Sequence, residues 1–219
     1  MAIFAAQQNP VISEFMALNS STLSDEDGDK PDWIELHNPF STNIDIGGYY
    51  LTDDISALTK WQIPPSTGVN AQSYIVVYAS SKDRSVSGQP LHTNFKLSSS
   101  GEYLAIVEQD GVTIAHEYSL QYPQQYEDIS YGLCFDPNVT NQESFFSTPT
   151  PLMSNGAGSA YVHSVISSPA LPTVSDDIVV EVSVASTSTA IATCDLVCRV
   201  MYGPEFTLAL RDDGVSPDS

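Results

Sequence analysis

The stretch SDEDGDKPDWIELHN, residues 24–38, places five acidic residues and one glycine within its first nine positions. It then changes at once into WIELHN, a short run with aromatic and β-branched residues that predicts a β-strand over 33–38. The acidic part suits three roles: a cation-binding loop, a cluster of catalytic carboxylates, or a solvated turn that leads into the strand.

Calcium is the candidate ligand for this acidic loop. Asp25, Asp27 and Asp29 offer carboxylate oxygens at alternate positions, and Asp32 follows three residues later. The pattern departs from the EF-hand loop, because the glycine of the sharp turn belongs at the sixth position, where this sequence has lysine and its glycine comes two residues earlier. An ordinary turn whose side chains cap backbone amides explains the same residues. Both interpretations stay open, with these four aspartates as the predicted metal ligands.

Catalytic motifs are missing from the sequence. A glycosidase needs two carboxylates roughly 5–10 Å apart across a sugar cleft, and nothing in this chain indicates a cleft. There is no G-x-S-x-G nucleophile elbow, no phosphate-binding loop and no histidine pair at the spacing of a zinc site. We therefore expect no enzymatic activity, and no cofactor beyond the candidate calcium ion.

Short β-branched and aromatic runs bounded by Gly, Pro, Asn, Asp and Ser recur along the chain, whereas helical periodicity is hard to find. This pattern predicts an all-β sandwich with almost no helix. Asp110-Gly111 lies between two alternating runs and predicts a hairpin with antiparallel strands. Trp33 and Trp61 are predicted core residues. The clearest strands are predicted at 11–18, 33–38, 49–53, 73–80, 102–109, 113–119 and 129–133.

The charge balance excludes some classes of partner. Seven Lys and Arg residues stand against 27 Asp and Glu, a formal net charge of -20, so phosphate backbones and anionic lipid surfaces are repelled and nucleic acid is not an expected partner. No apolar run approaches the ~18 residues of a membrane-spanning helix. The start, MAIFAAQQN, has the apolar run and small residues of the end of a signal peptide. We interpret residues 1–9 as a signal-peptide remnant or a disordered N-terminus, and expect a secreted or cell-surface location.

Eight stretches from about residue 10 to 156 follow one another in the order and spacing of one known family. They are VISEFMALN, DEDGDKPDWIELHNP, IDIGGYYLTDD, LTKWQIP, YIVVYASSKDR, LHTNFKLSSSGEYLAIV, DISYGL and FFSTPTPLMSNG. On these residues the chain resembles the lamin tail domain, in the form found in secreted bacterial multidomain proteins. The resemblance implies an immunoglobulin-like β-sandwich over 10–156 that acts as a binding and structural module and brings no catalytic residues.

Residues 136–158 are rich in Pro, Asn, Ser, Thr and Gly, and their apolar residues follow neither the strand nor the helix period. We therefore place the domain boundary near 155–160. Residues 157–219 resemble an incomplete immunoglobulin-like or fibronectin type III-like domain, a partial second β-sandwich that ends in DDGVSPDS. Its strands are predicted at 178–186, 196–203 and 206–214. The three cysteines are an odd number, and in an extended strand Cys194 and Cys198 lie too far apart to bridge.

These observations predict a non-enzymatic, secreted or cell-surface module of a larger multidomain protein that mediates adhesion or domain spacing, with calcium as a candidate stabilising ion. The expected partners are a protein or polysaccharide surface and the other domains of the same parent chain. The alternative is an accessory region that presents substrate to a secreted hydrolase or kinase-like protein, whose catalytic domain would lie beyond residue 219.

Overall fold

The computed structural model describes residues 8–135, 143–156, 158, 161–169, 173, 175–185, 194–199 and 204–210. Within these ranges every regular element is a β-strand. The first part of the chain holds β1 (Val11–Met16), β2 (Asp32–His37), β3 (Ile44–Asp45), β4 (Tyr50–Thr52), β5 (Trp61–Gln62), β6 (Gly68–Val69), β7 (Tyr74–Ala79), β8 (Leu91–His92), β9 (Leu104–Val107), β10 (Ile114–Tyr118), β11 (Ser130–Leu133) and β12 (Glu143–Phe146). The second part holds β13 (Tyr161–Ser168), β14 (Val179–Ala185), β15 (Cys194–Arg199) and β16 (Glu205–Leu210).

Two sheets form the sandwich. The larger has six strands in the order β12-β11-β1-β2-β7-β8, antiparallel except for the short parallel pair β7 and β8, and the smaller has the order β10-β9-β4-β5. One hydrophobic cluster between them is filled by side chains from both sheets, among them Ile12, Phe15, Ile34, Leu36, Leu51, Trp61, Leu104 and Ile106. The predicted all-β, immunoglobulin-like sandwich is confirmed.

Strand β2 is covered on both of its faces. Ile34 and Leu36 point into the core between the sheets, while Trp33 and Glu35, on the opposite face, are also fully buried. Alternating side chains of a strand point to opposite faces of its sheet, so the outer face of the large sheet must be covered by other parts of the chain. That cover includes residues 150–155, which follow β12.

Beside β2, strand β1 carries a β-bulge at Ser13. Because of the bulge, Glu14 lies opposite Glu35 on one side and opposite Gly132 of β11 on the other. A Cβ atom at Gly132 would lie 2.1 Å from the Ser13 carbonyl oxygen, so only glycine fits at this crossing. The bulge thus places two acidic side chains directly opposite each other on neighbouring strands.

Each of the seven strands predicted within residues 11–133 overlaps an observed strand. As expected, β9 and β10 pair antiparallel around Asp110-Gly111. Within the aperiodic stretch 136–158, for which no strand was predicted, β12 pairs with β11 over four residues. This edge strand, ESFF, has no alternating pattern, and its partner strand rather than its own sequence decides that it is extended.

The second part of the described chain forms two hairpins, β13 with β14 and β15 with β16, each a separate two-stranded sheet. Apolar side chains on both hairpins are more than half exposed, including those of Val165, Ile166, Val197 and Leu208. The partial second β-sandwich therefore stays a prediction. The final stretch DDGVSPDS, residues 212–219, and residues 1–7 of the predicted signal remnant lie outside the described residues. The described part of the chain contains no helix that meets the length and hydropathy of a membrane span.

Candidate functional site

The acidic loop at 25–29 closes on itself. The Asp25 backbone amide donates to the Asp29 carbonyl at 2.9 Å, and the Gly28 amide donates to the Asp25 carbonyl at 3.0 Å. Asp25 Oδ1 accepts the backbone amides of Asp27 and Asp29 at 3.0 and 2.9 Å. Gly28 has φ of +83°, a left-handed conformation that favours glycine. This glycine and the Asp25 carboxylate therefore define the turn, which explains why the glycine precedes its EF-hand position.

Lys82 fills the centre of this loop. Its Nζ atom lies 2.5 Å from Asp25 Oδ2 and 2.8 Å from both Asp27 Oδ2 and Asp29 Oδ2. Hydrogen bonds to these three carboxylates, that of Asp25 first, raise the pKa of the lysine above its usual range. The three hydrogens of an ammonium group match three carboxylate acceptors, so the lysine takes the place that a bound cation would otherwise occupy.

Arg84 and His92 make further contacts with the loop. The Arg84 guanidinium contacts Glu26 and donates from Nη2 to Asp27 Oδ2 at 2.6 Å, while buried His92 places Nε2 3.0 Å from Glu26 Oε2. Hydrogen bonds from Arg84 and then Lys82 lower the pKa of Asp27 to about 2. The pKa of Glu26 is also lowered to about 2, by its own backbone amide and then by the histidine and arginine. These contacts tie the loop to the 80–92 segment.

The predicted metal ligands do not all come together. Asp25, Asp27 and Asp29 converge, with one oxygen of each within 4.8 Å of the others, which is close enough to share a metal ion. Asp32 lies outside that group, and its Oδ2 instead accepts the Leu97 backbone amide at 3.2 Å. A calcium ion at the three converging carboxylates would have to displace the lysine ammonium, so metal binding at these residues stays a prediction.

A second polar site is buried on the outer face of the large sheet. Glu14 and Glu35 are both 0% exposed. Ser13 Oγ donates to Glu35 Oε1 at 2.6 Å, and the Leu152 backbone amide donates to Glu35 Oε2. The Thr150 backbone amide donates to Glu14 Oε1 at 3.1 Å. The two carboxyl groups thus hold residues 150–155, which we call the strap, against the sheet.

Burial raises the pKa of Glu35 to about 8, against the lowering effect of its hydrogen bonds to Ser13 and Leu152, and it also raises the pKa of Glu14. Two carboxylates facing each other in a dry environment repel, so at neutral pH the pair holds at least one proton. Asn155 adds to the attachment, since its Nδ2 donates to the Ser13 and Leu133 carbonyls at 2.9 Å each. The two glutamates beneath the strap and Asn155 are buried, whereas Leu152 and Met153 of the strap are exposed.

Sequence reasoning missed most of these residues. Lys82, Arg84 and His92 are the partners of the acidic loop, yet the lysine lies 57 residues along the chain from Asp25. The small number of lysines was one usable signal. The sequence contains only four, and each must either contact carboxylates or remain exposed. Glu35 gave no signal at all, since an acidic residue within a strand normally indicates a solvent-exposed face.

Comparison with known proteins agrees with this architecture. A search of curated proteins finds no match. The sequence model of the lamin tail domain matches residues 4–121, which is more than half of the chain and covers both the acidic loop and its lysine and arginine partners. The segments that follow include β11 and β12, which complete the larger sheet, and the strap, which is bonded to its outer face. The chain belongs to the lamin tail domain family.

Proposed function

We propose that this chain is a non-enzymatic, secreted or cell-surface module that mediates attachment or domain spacing within a larger multidomain protein. The observation that carries the proposal is membership of the lamin tail domain family, whose immunoglobulin-like fold is typically non-catalytic. The acidic residues that first suggested chemistry support it as well. Asp25, Asp27 and Asp29 bind Lys82, and the buried glutamate pair holds the strap.

The composition supports an extracellular setting. Seven basic and 27 acidic residues give the chain a net charge of -20, which favours solubility outside the cell. The apolar residues at the N-terminus support export. The proposed partners are a protein or polysaccharide surface and neighbouring domains of the parent chain.

Binding of the full chain to immobilised neutral polysaccharides, acidic polysaccharides and extracellular matrix proteins tests the attachment part of this proposal. We expect saturable binding to at least one of these surfaces, and loss of that binding after heat denaturation of the chain. Absence of binding to every surface would leave domain spacing as the function. Turnover of a polysaccharide or protein substrate by the chain itself would contradict the non-enzymatic assignment.

Calcium stabilisation is proposed for the acidic loop only, and it is tested by thermal melting with calcium or with a chelator at equal ionic strength. A ligand that binds only the folded state raises stability by RT ln(1 + [L]/Kd). In Lys82→Met the three loop carboxylates lose their ammonium partner and repel one another, so we expect a lower melting temperature that calcium restores by several degrees.

The wild-type chain decides between two versions of the calcium hypothesis. A rise in its melting temperature with calcium would mean that the ion competes successfully with Lys82. A rise in the Lys82→Met variant alone would mean that the lysine replaces the ion in this chain. If calcium stabilises neither protein, the loop is an ordinary acidic turn and the calcium hypothesis is wrong. Lys60→Met, which removes a lysine bound to Asp53 elsewhere, is the matched control.

A further inference from the structure

The strap, residues 150–155, is held to the large sheet by polar contacts rather than by apolar packing. Leu152 and Met153 at its centre are 57% and 65% exposed, and Asn155 is its one buried residue. Its hydrogen bonds to the sheet come from Thr150, Leu152 and Asn155. Segments with few buried apolar contacts are the ones that open locally in native proteins. We therefore expect the strap to leave the sheet at a lower cost in free energy than unfolding of the sandwich.

The backbone of the strap is strained at Leu152. This residue has φ of +65°, in the left-handed region that residues with a side chain rarely adopt. In this conformation its backbone amide donates to the buried carboxyl group of Glu35. The contact with Glu35 thus holds the chain in a conformation that it would not otherwise prefer, so any loss of that contact favours release of the strap.

The strap covers two acidic groups that have no positively charged partner. Glu14 and Glu35 lie opposite each other on β1 and β2, and among the described residues no lysine or arginine forms an ion pair with either. The other titratable groups nearby are Tyr74 of β7, His37 of β2 and Tyr118 of β10. Burial raises the pKa of both tyrosines and lowers that of the histidine, so all three are uncharged at neutral pH. The strap itself contains no titratable side chain.

Detachment of the strap is coupled to the proton of this pair. With the strap in place, the two carboxyl groups are dry and hold at least one proton at neutral pH. With the strap detached, water reaches both groups, and each ionises in its ordinary range. Burial raises the pKa of Glu35 to about 8, so the attached form is fully favoured below pH 4.5 and loses its advantage as the pH rises to about 8.

We propose that the strap is a pH-dependent latch, which lies on the sheet while the glutamate pair holds a proton and detaches as a unit when the pair loses it. Among the described residues, Asn155 is the last one bonded to the sandwich before β13. Six extended residues span at most about 20 Å, so detachment lengthens the free link to β13 by up to that distance. This effect on domain spacing rests on the proposed function, whereas the detachment itself does not.

Hydrogen exchange of the full chain between pH 6.5 and 8, corrected for the intrinsic pH dependence of amide exchange, tests this proposal. The Thr150 and Leu152 amides of the strap are compared with the amides of β2, which lies between two other strands. We expect the strap amides to be at least about tenfold less protected than those of β2 at every pH, because local opening costs less than unfolding. Their protection should fall at least about tenfold over this range, because opening releases a proton.

Glu35→Gln should abolish the fall in strap protection, and Asp83→Asn, at an exposed acid outside the pair, should keep it. If Glu35→Gln does not fold, Glu14→Gln replaces it, and the fall should shrink because Glu35 then ionises without an acidic neighbour. Strap amides as protected as those of β2 would show that the strap opens only on unfolding, and would overturn the latch. An undiminished fall in the glutamine variant would overturn the role of the pair. Either failure leaves the proposed function standing, because no binding partner takes part in the experiment.

Discussion

Glu35→Gln is expected to remove most of the stability that this fold loses between pH 6.5 and 8. Glu35 is fully buried under the strap, with Ser13 and Leu152 as hydrogen-bond donors, and Glu14 from β1 and Tyr74 from β7 as its titratable neighbours. Glutamine keeps the shape of the protonated carboxyl group and cannot ionise. The substitution therefore isolates the cost of ionising Glu35.

Because the pKa of Glu35 is raised in the folded chain, the free energy of unfolding falls as the pH rises. Below the ordinary glutamate pKa of 4.5 the carboxyl group is protonated in both the folded and the unfolded chain, so its stabilising effect is fully present. Between pH 4.5 and about 8 the unfolded chain ionises while folded Glu35 keeps its proton, and the free energy of unfolding falls as pH rises. At about 1.36 kcal/mol for each pKa unit, this amounts to about 5 kcal/mol.

Such a loss is comparable with the whole stability of an ordinary domain, roughly 5–15 kcal/mol. Urea unfolding at several pH values between 5 and 9 measures it. Trp33 and Trp61 are the two tryptophans of the chain, and both are buried in the first sandwich, so their fluorescence reports on this domain alone. Between pH 6.5 and 8, above the range in which the lowered pKa of His116 affects stability, we expect wild type to weaken with pH and Glu35→Gln to weaken much less and to exceed wild type at pH 8.

Asp83→Asn, which removes one negative charge from an exposed side chain, is the control and should keep the wild-type slope. A slope in Glu35→Gln equal to that of wild type would refute the reasoning, because the pH dependence would then arise elsewhere. A smaller residual slope in the same direction is expected from Glu14, whose pKa burial also raises.

Two further substitutions test how the strap and β11 are held. Gly132→Ala places a Cβ atom 2.1 Å from the Ser13 carbonyl and should cost roughly 3 kcal/mol or more in urea unfolding, whereas Gly156→Ala, with no atom within 4 Å of the new Cβ, should be neutral. Asn155→Ala leaves two carbonyl groups without their donor and should cost roughly 3 kcal/mol, while exposed Asn70→Ala should change stability by less than about 0.5 kcal/mol. Equal losses in a variant and its control would contradict either explanation.

The sequence by itself was sufficient for the fold class and for most strands. The run WIELH, the Asp110-Gly111 turn and the spacing of the other apolar runs act over a few residues, because side-chain alternation and turn geometry are local properties of the backbone. Trp33 and Trp61 were predicted to be core residues, and both are buried, Trp61 between the sheets and Trp33 on the outer face of the large sheet. For the acidic loop the sequence left a calcium site and an ordinary turn both open, and it did not indicate the lysine partner.

Tertiary structure alone decided what those carboxylates do. Lys82 reaches Asp25 because β7 pairs with β2, which brings residues 57 positions apart to the same end of the large sheet. Glu35 is buried because the strap, 117 residues later, lies over the outer face of β2. The alternation of residues along a strand predicts which face each side chain points to. The elements that cover that face depend on the order of the strands, which is set by contacts between distant parts of the chain.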